Sequence, residues 1–160
     1  MSLSKKIAAA LDENTKAYHF PCSVAVEEAQ SRLVLHLTGL DAVGVAFTSL
    51  EFATTGRTDW SSDALKSWGD RLASRVSYLM EPLCVVETDA QGGEVQIRSQ
   101  RPTPRDDQRS YYEVRISRQG TLRMQRYLFD QETRERRQTT CQVTREVLER
   151  LADDIVASVA

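Results

Sequence analysis

Histidine, cysteine and lysine are among the scarce residues of this 160-residue chain, with two, three and four copies. Two His and three Cys leave little material for a metal cluster, and no C-x-x-C pair occurs among Cys22, Cys84 and Cys141, so neither a zinc ribbon nor a dithiol redox motif is present. An odd number of widely spaced cysteines reads as reduced thiols, which places the expected location in the cytoplasm. No apolar run approaches the ~20 residues that a membrane-spanning helix needs, so no membrane partner is expected. Lys5 and Lys6 precede Ile7 to Leu11, but Asp12 and Glu13 cut that stretch short, and a secretory leader is not expected. Phosphate and nucleophile motifs are missing too. Gly92-Gly93 is a bare turn without the lysine and following helix of a phosphate cradle, and neither G-x-S-x-G nor H-E-x-x-H occurs. These absences exclude classes of protein without assigning a function.

The chain does carry a divided charge. Its 21 Lys+Arg and 23 Asp+Glu give a net charge of -2 with 41% hydrophobic residues, the profile of one globular domain over residues 1–160. A chain of this size buries roughly 70% of its unfolded surface and needs neither disulfides nor a metal to hold a core. Residues 1–90 hold 8 basic and 12 acidic side chains, and residues 91–160 hold 13 and 11. Every cation after Lys66 is arginine, and eleven arginines with six acids fall between Arg98 and Arg137. Arginine brings a planar, multiply donating head group, so this half is where a binding surface is sought.

Periodicity outlines the elements. Leu3, Ile7 and Leu11 recur at helical spacing. From Phe20 the period becomes two, through Cys22, Val24 and Val26 and then Leu33, Leu35 and Leu37, which predicts two strands. A third strand starts after Gly44, with Val45 and Phe47 on one face and Leu50 and Phe52 on the other, as in a central or bent strand. Thr58 to Asp63 offers several N-caps to a second helix built on Leu65, Trp68, Leu72, Val76 and Leu79 and ended by Pro82. Gly69 inside it costs about 1 kcal/mol relative to alanine and marks close packing on the sheet. Two strands follow around Gly92-Gly93, then a loop at about 100–109, rich in proline and charge, expected exposed and mobile. Thr144 caps a last helix with Val147, Leu148, Leu151, Ala152, Ile155, Val156 and Val159 on its apolar face.

The hairpin Tyr111–Ser117 and Thr121–Phe129 has a definite register. If Gly120 closes a three-residue loop in the left-handed conformation, Ile116 faces Leu122 and Val114 faces Met124. On the other face Arg115 meets Arg123, Glu113 meets Gln125 and Tyr111 meets Tyr127. Opposed arginines are unfavourable, so Glu113 or another acid is needed beside them. Arg134 to Thr140 is almost wholly polar and reads as an exposed edge strand.

This face supplies the candidate binding residues Arg98, Tyr111, Arg115, Arg123, Tyr127 and Phe129. Arginine interleaved with aromatics suits single-stranded nucleic acid; Glu113, Glu132 and Glu135 interrupt the patch, and the pI is near 5.7, where nucleic-acid domains are usually basic. An acidic protein surface satisfies the same arginines. An uncharacterised enzyme is the third reading, with His36 or Cys141 lining a pocket: a helix N-terminus beside Cys141 would lower its thiol pKa. His36 reads as an ordinary hydrogen-bonded histidine, and Glu27-Glu28, Asp106-Asp107 and Asp153-Asp154 lie in turns or on a solvated helix face. No catalytic, cofactor or metal residue is assigned.

The order helix, three strands, helix, a run of strands, helix defines an α+β fold with a curved antiparallel sheet and three helices, N-terminal, middle and C-terminal. That order resembles the small, mildly acidic type III secretion chaperones, with more strands between Tyr111 and Thr140 than that family uses. The resemblance implies a homodimer that binds a protein partner on its sheet and helix surfaces without catalysis. The expected function is therefore a non-catalytic protein-binding module, a small dimeric chaperone or adaptor.

Overall fold

The computed structural model describes residues 1–14 and 19–159. The fold is α+β. Helix α1 (Leu3–Asn14) precedes strands β1 (Cys22–Glu28), β2 (Ser31–Leu40) and β3 (Gly44–Thr54). Helix α2 (Ser62–Arg75) leads to β4 (Leu83–Asp89), β5 (Glu94–Ser99), β6 (Thr103–Arg105), β7 (Gln108–Ser117) and β8 (Thr121–Asp130). Strands β9 (Arg136–Thr139) and β10 (Cys141–Thr144) then run into α3 (Arg145–Val159). Among the described residues no helix is long and apolar enough to cross a membrane.

The ten strands of the described residues join one antiparallel sheet in the order β1-β2-β3-β8-β7-β5-β4, with β10 beside β3, β9 beside β8 and β6 beside β7. The β7–β8 hairpin has the register read from its residues, including Arg115 opposite Arg123 and Tyr111 opposite Tyr127. Its turn residue Gly120 has φ +79°, and a Cβ there would lie 2.7 Å from the Thr54 carbonyl oxygen, so glycine answers both the backbone and the space.

One face of the sheet is the core. Leu33, Leu35, Leu37, Val95, Ile97, Val114, Ile116, Leu122 and Met124 are all buried there, because alternate residues of each strand point the same way. The third strand departs from its predicted pattern. Val45, Phe47, Leu50 and Phe52 are all buried: His36 pairs with Ser49 and Leu37 with Phe47, leaving Thr48 as an extra residue. This bulge resets the alternation and turns both halves of the strand's apolar set to the same side.

The three helices cover that side. Leu3, Ile7 and Leu11 of α1, Leu65, Trp68 and Leu72 of α2, and Leu148, Leu151, Ala152 and Ile155 of α3 join the sheet residues in one core. Ser61 caps α2 by accepting from the Ala64 N–H at 3.1 Å, and Thr144 caps α3 through the Val147 N–H at 3.1 Å. The second helix stops at Arg75, so Val76 is its C-cap and Leu79 lies beyond it. A Cβ on Gly69 would lie 3.2 Å from Val85 and Val95 methyls, which is the close approach that excuses a glycine inside a helix. Trp68 stacks on Trp60 at 4.7 Å and donates its indole N–H to Ser158 Oγ at 2.9 Å.

The segment expected as an exposed loop at 100–109 is exposed at Arg101, Pro102 and residues 104–107 but contains a strand: β6 pairs with the start of β7 in a tight hairpin, and Thr103 is tied to the buried Glu81 at 2.6 Å. Cys141 lies ahead of α3 as the first residue of β10, paired with Phe47.

Candidate functional site

With the helices on one face, the other face of β2, β3, β8, β7 and β5 carries the polar alternates. Arg98 on β5, Tyr111 and Arg115 on β7, and Arg123, Tyr127 and Phe129 on β8 share this outer face, as their parity requires. The structure divides them into two clusters.

The first is closed on itself. Glu113 is only 3% exposed and accepts from Gln96 Nε2 at 2.6 Å, from Arg98 Nη2 at 3.3 Å, and from both Nη1 and Nη2 of Arg136 at 3.2 Å. Arg115 Nε approaches it at 3.5 Å. Burial is the largest single influence on Arg115 and Arg136 and opposes their charge, but Glu113 together with Glu94 at Arg115, and Glu113 together with Tyr111 and Tyr127 at Arg136, outweighs it and raises the pKa of each. Tyr111 and Tyr127 stack at 6.0 Å, with Arg98 over Tyr111 at 5.0 Å and Arg136 over Tyr127 at 3.7 Å. The two tyrosines therefore spend their faces on each other and on arginines of the chain. Phe129 sits half-buried opposite Arg136 of β9.

The second cluster is open. A groove of about 380 Å³ runs over the middle strands, lined by Arg32, Glu51, Glu94, Arg115 and Arg123 with the Ser117 and Thr121 hydroxyls. Along one row Glu51 faces Arg123, and Arg123 faces Arg115. Glu51 Oε1 accepts from Arg123 Nη2 at 3.1 Å, and Glu94 Oε1 from Arg115 Nη1 at 2.8 Å. Arg32 meets Glu27 at 3.4 Å. These arginine side chains are 57%, 48% and 58% exposed for Arg32, Arg115 and Arg123, so each retains hydrated donors. Sequence reasoning missed Arg32, Glu51 and Glu94 because they come from strands far apart in the chain; the outward parity of β2 and β3 was the available signal.

His36 is hydrogen-bonded as expected, with Nδ1 2.8 Å from Ser23 Oγ and Nε2 3.5 Å from Glu51 Oε2. The order serine, histidine, acid is that of an acyl-transfer site. Ser23 is exposed, and the other two side chains are 37% and 36% exposed, so the line sits in water rather than in the desolvated setting that such chemistry uses. Its effect is to orient the ring. Cys141 is fully buried, and burial, only partly offset by Arg126, pushes its thiol pKa up from 9.0 to about 12. The lowered pKa expected for it is thus overturned by desolvation.

A buried ion pair on the core side escaped sequence reading altogether. Glu81 and Arg126 have side chains only 2% and 9% exposed and meet through two 3.2 Å bonds. Ser99 Oγ and Thr103 Oγ1 donate to the same carboxylate at 2.8 and 2.6 Å, and Arg126 lies 4.3 Å over the Tyr112 ring. This network fastens β5, β6 and β8 to the segment before β4. Among the described residues no group of His, Cys, Asp and Glu is arranged to hold a metal.

No family model, no curated protein and no solved structure matches this chain. The functional reading therefore stands on the geometry of the sheet's open face.

Proposed function

We propose that the chain is a non-catalytic protein-binding module that docks an extended segment of a partner protein across the open face of its sheet. The observation that carries this reading is the sidedness of the fold: all three helices lie on the core face, while the outer face holds the groove between Arg32 and Glu94. Five strands at ~4.8 Å spacing give the groove a span of about 19 Å, the length of roughly six extended residues. Its walls mix both signs of charge with Val34 and Ala53, the composition of a polar protein–protein contact rather than of a catalytic pocket. The nucleic-acid reading loses support, since Tyr111 and Tyr127 already stack on each other under arginines and offer no open platform for bases.

Selection of phage-displayed dodecamer peptides on the chain tests the reading, with Val34→Trp as the groove-filled control. Binders that lose affinity for Val34→Trp support it. Binders indifferent to that substitution, or no binder after exhaustive selection, overturn it. Sedimentation of the free chain covers the homodimer: a dimer abolished by Val34→Trp makes a second copy the occupant and overturns docking of a separate partner.

A further inference from the structure

We infer that Arg115 and Arg123 form a clamp for the carboxylate of an aspartate or glutamate in the docked segment, so that the partner segment is acidic at its centre. This rests on the docking-face reading above. The two arginines are a directly opposed cross-strand pair, an arrangement that disfavours itself unless an anion lies with it. The acids of the chain hold the pair from outside: Glu51 takes Arg123 from the β3 side, whereas Glu94 and Glu113 take Arg115 from the β5 side and along β7. Among the described residues no carboxylate is in contact with both. Each guanidinium has five N–H donors; Glu51 engages one nitrogen of Arg123, and Glu94 and Glu113 engage two of Arg115.

The same sheet face shows the completed form of this arrangement. One pair along β7, Glu113 sits among Arg98, Arg115 and Arg136 and is buried by them. Between Arg115 and Arg123 no equivalent acid stands among the described residues, and the groove opens there. Arg32 on the far wall adds a second, looser site for negative charge. Glu51 and Glu94 flank the pair, so a single carboxylate between neutral neighbours is admitted while a continuous polyanion meets repulsion on both sides.

Side-chain and amide NMR titration tests this with three probes: the capped peptide Thr-Val-Glu-Val-Thr, its Thr-Val-Gln-Val-Thr twin, and hexathymidylate. The expected result is that the Glu peptide shifts the Nε–Hε signals of Arg115 and Arg123 and binds about tenfold more tightly than the Gln twin, as a charge-assisted contact should. That preference disappears in the Arg115→Gln/Arg123→Gln variant, whose amide spectrum reports retention of the fold. Equal binding of both peptides on the outer face overturns the clamp and leaves the docking reading standing. No outer-face shift with either peptide at millimolar concentration overturns both. Shifts of the same arginines by hexathymidylate, lost on raising salt, overturn both in favour of nucleic acid.

Discussion

Replacing Glu81 by glutamine is the sharpest test of how the sheet is fastened at its β6 end. The substitution keeps volume and removes one charge. It leaves Arg126, whose side chain is 9% exposed, as a buried cation without its counterion, and it turns one of the two oxygens that receive Arg126, Ser99 and Thr103 into a donor facing donors. Breaking a buried pair on one side costs about 3–5 kcal/mol, a large share of the roughly 5–15 kcal/mol that holds a domain together. For a chain of this length that corresponds to a fall in Tm on the order of 10 °C. The double variant Glu81→Met/Arg126→Met removes both charges, so the desolvation cost disappears with the attraction, and only the Ser99 and Thr103 hydroxyls lose a partner at about 1 kcal/mol each. The double variant is therefore expected to be more stable than Glu81→Gln alone. Urea unfolding with unchanged m-values measures both. A Glu81→Gln variant within about 1 kcal/mol of the parent would refute the reasoning, as would a double variant less stable than the single one.

Three further outcomes follow from positions where geometry opposes local preference. Gly69→Ala gains about 1 kcal/mol of helix propensity but presses a Cβ to 3.2 Å from Val85 and Val95; with overpacking at about 1–3 kcal/mol, thermal unfolding should show a net loss near 1 kcal/mol, and a stabilised variant contradicts the packing. Gly120→Ala puts an L-residue at φ +79° with its Cβ 2.7 Å from a backbone oxygen, so a loss of at least ~2 kcal/mol is expected, seen as a lower urea midpoint. The buried Cys141 thiol, raised from 9.0 to about 12, stays protonated in the folded chain while the unfolded chain ionises. Its contribution to stability is complete below pH 9 and is lost as pH rises toward 12, at up to about 1.4 kcal/mol per pH unit. Cys141→Ala should flatten that alkaline decline, and in the native parent Cys141 should react with a thiol reagent at pH 8 far more slowly than Cys22 or Cys84; equal rates would contradict its burial.

The β7–β8 hairpin was readable because everything that sets it is local. A glycine at the left-handed turn position and strict alternation on both arms leave one register, and every pair from Ile116–Leu122 to Tyr111–Tyr127 occurs. The helical stripes were readable for the same reason, except that the second helix ends at Arg75, short of Leu79. The bulge at Thr48 was not: it depends on how β3 meets β2, and its signature in the sequence, apolar residues on both parities, is shared with any central strand. Nor was the Glu81–Arg126 pair, whose members lie 45 positions apart in segments with no common pattern.

The candidate site shows the same division. Strand parity alone places Arg98, Tyr111, Arg115, Arg123, Tyr127 and Phe129 on one face, since alternation is a property of the chain. Whether those side chains are available is a property of their neighbours. Arg136 arrives from β9 to cover Tyr127 and to complete the shell around Glu113, while Arg32 and Glu51 arrive from β2 and β3 to wall the groove. Local residue order specified most of the elements and, where no bulge resets the alternation, which way each side chain turns. The pairing of distant strands chose which arginines are neutralised and which stay open, because ion pairs and stacking act over a few ångströms of space without regard to separation along the chain.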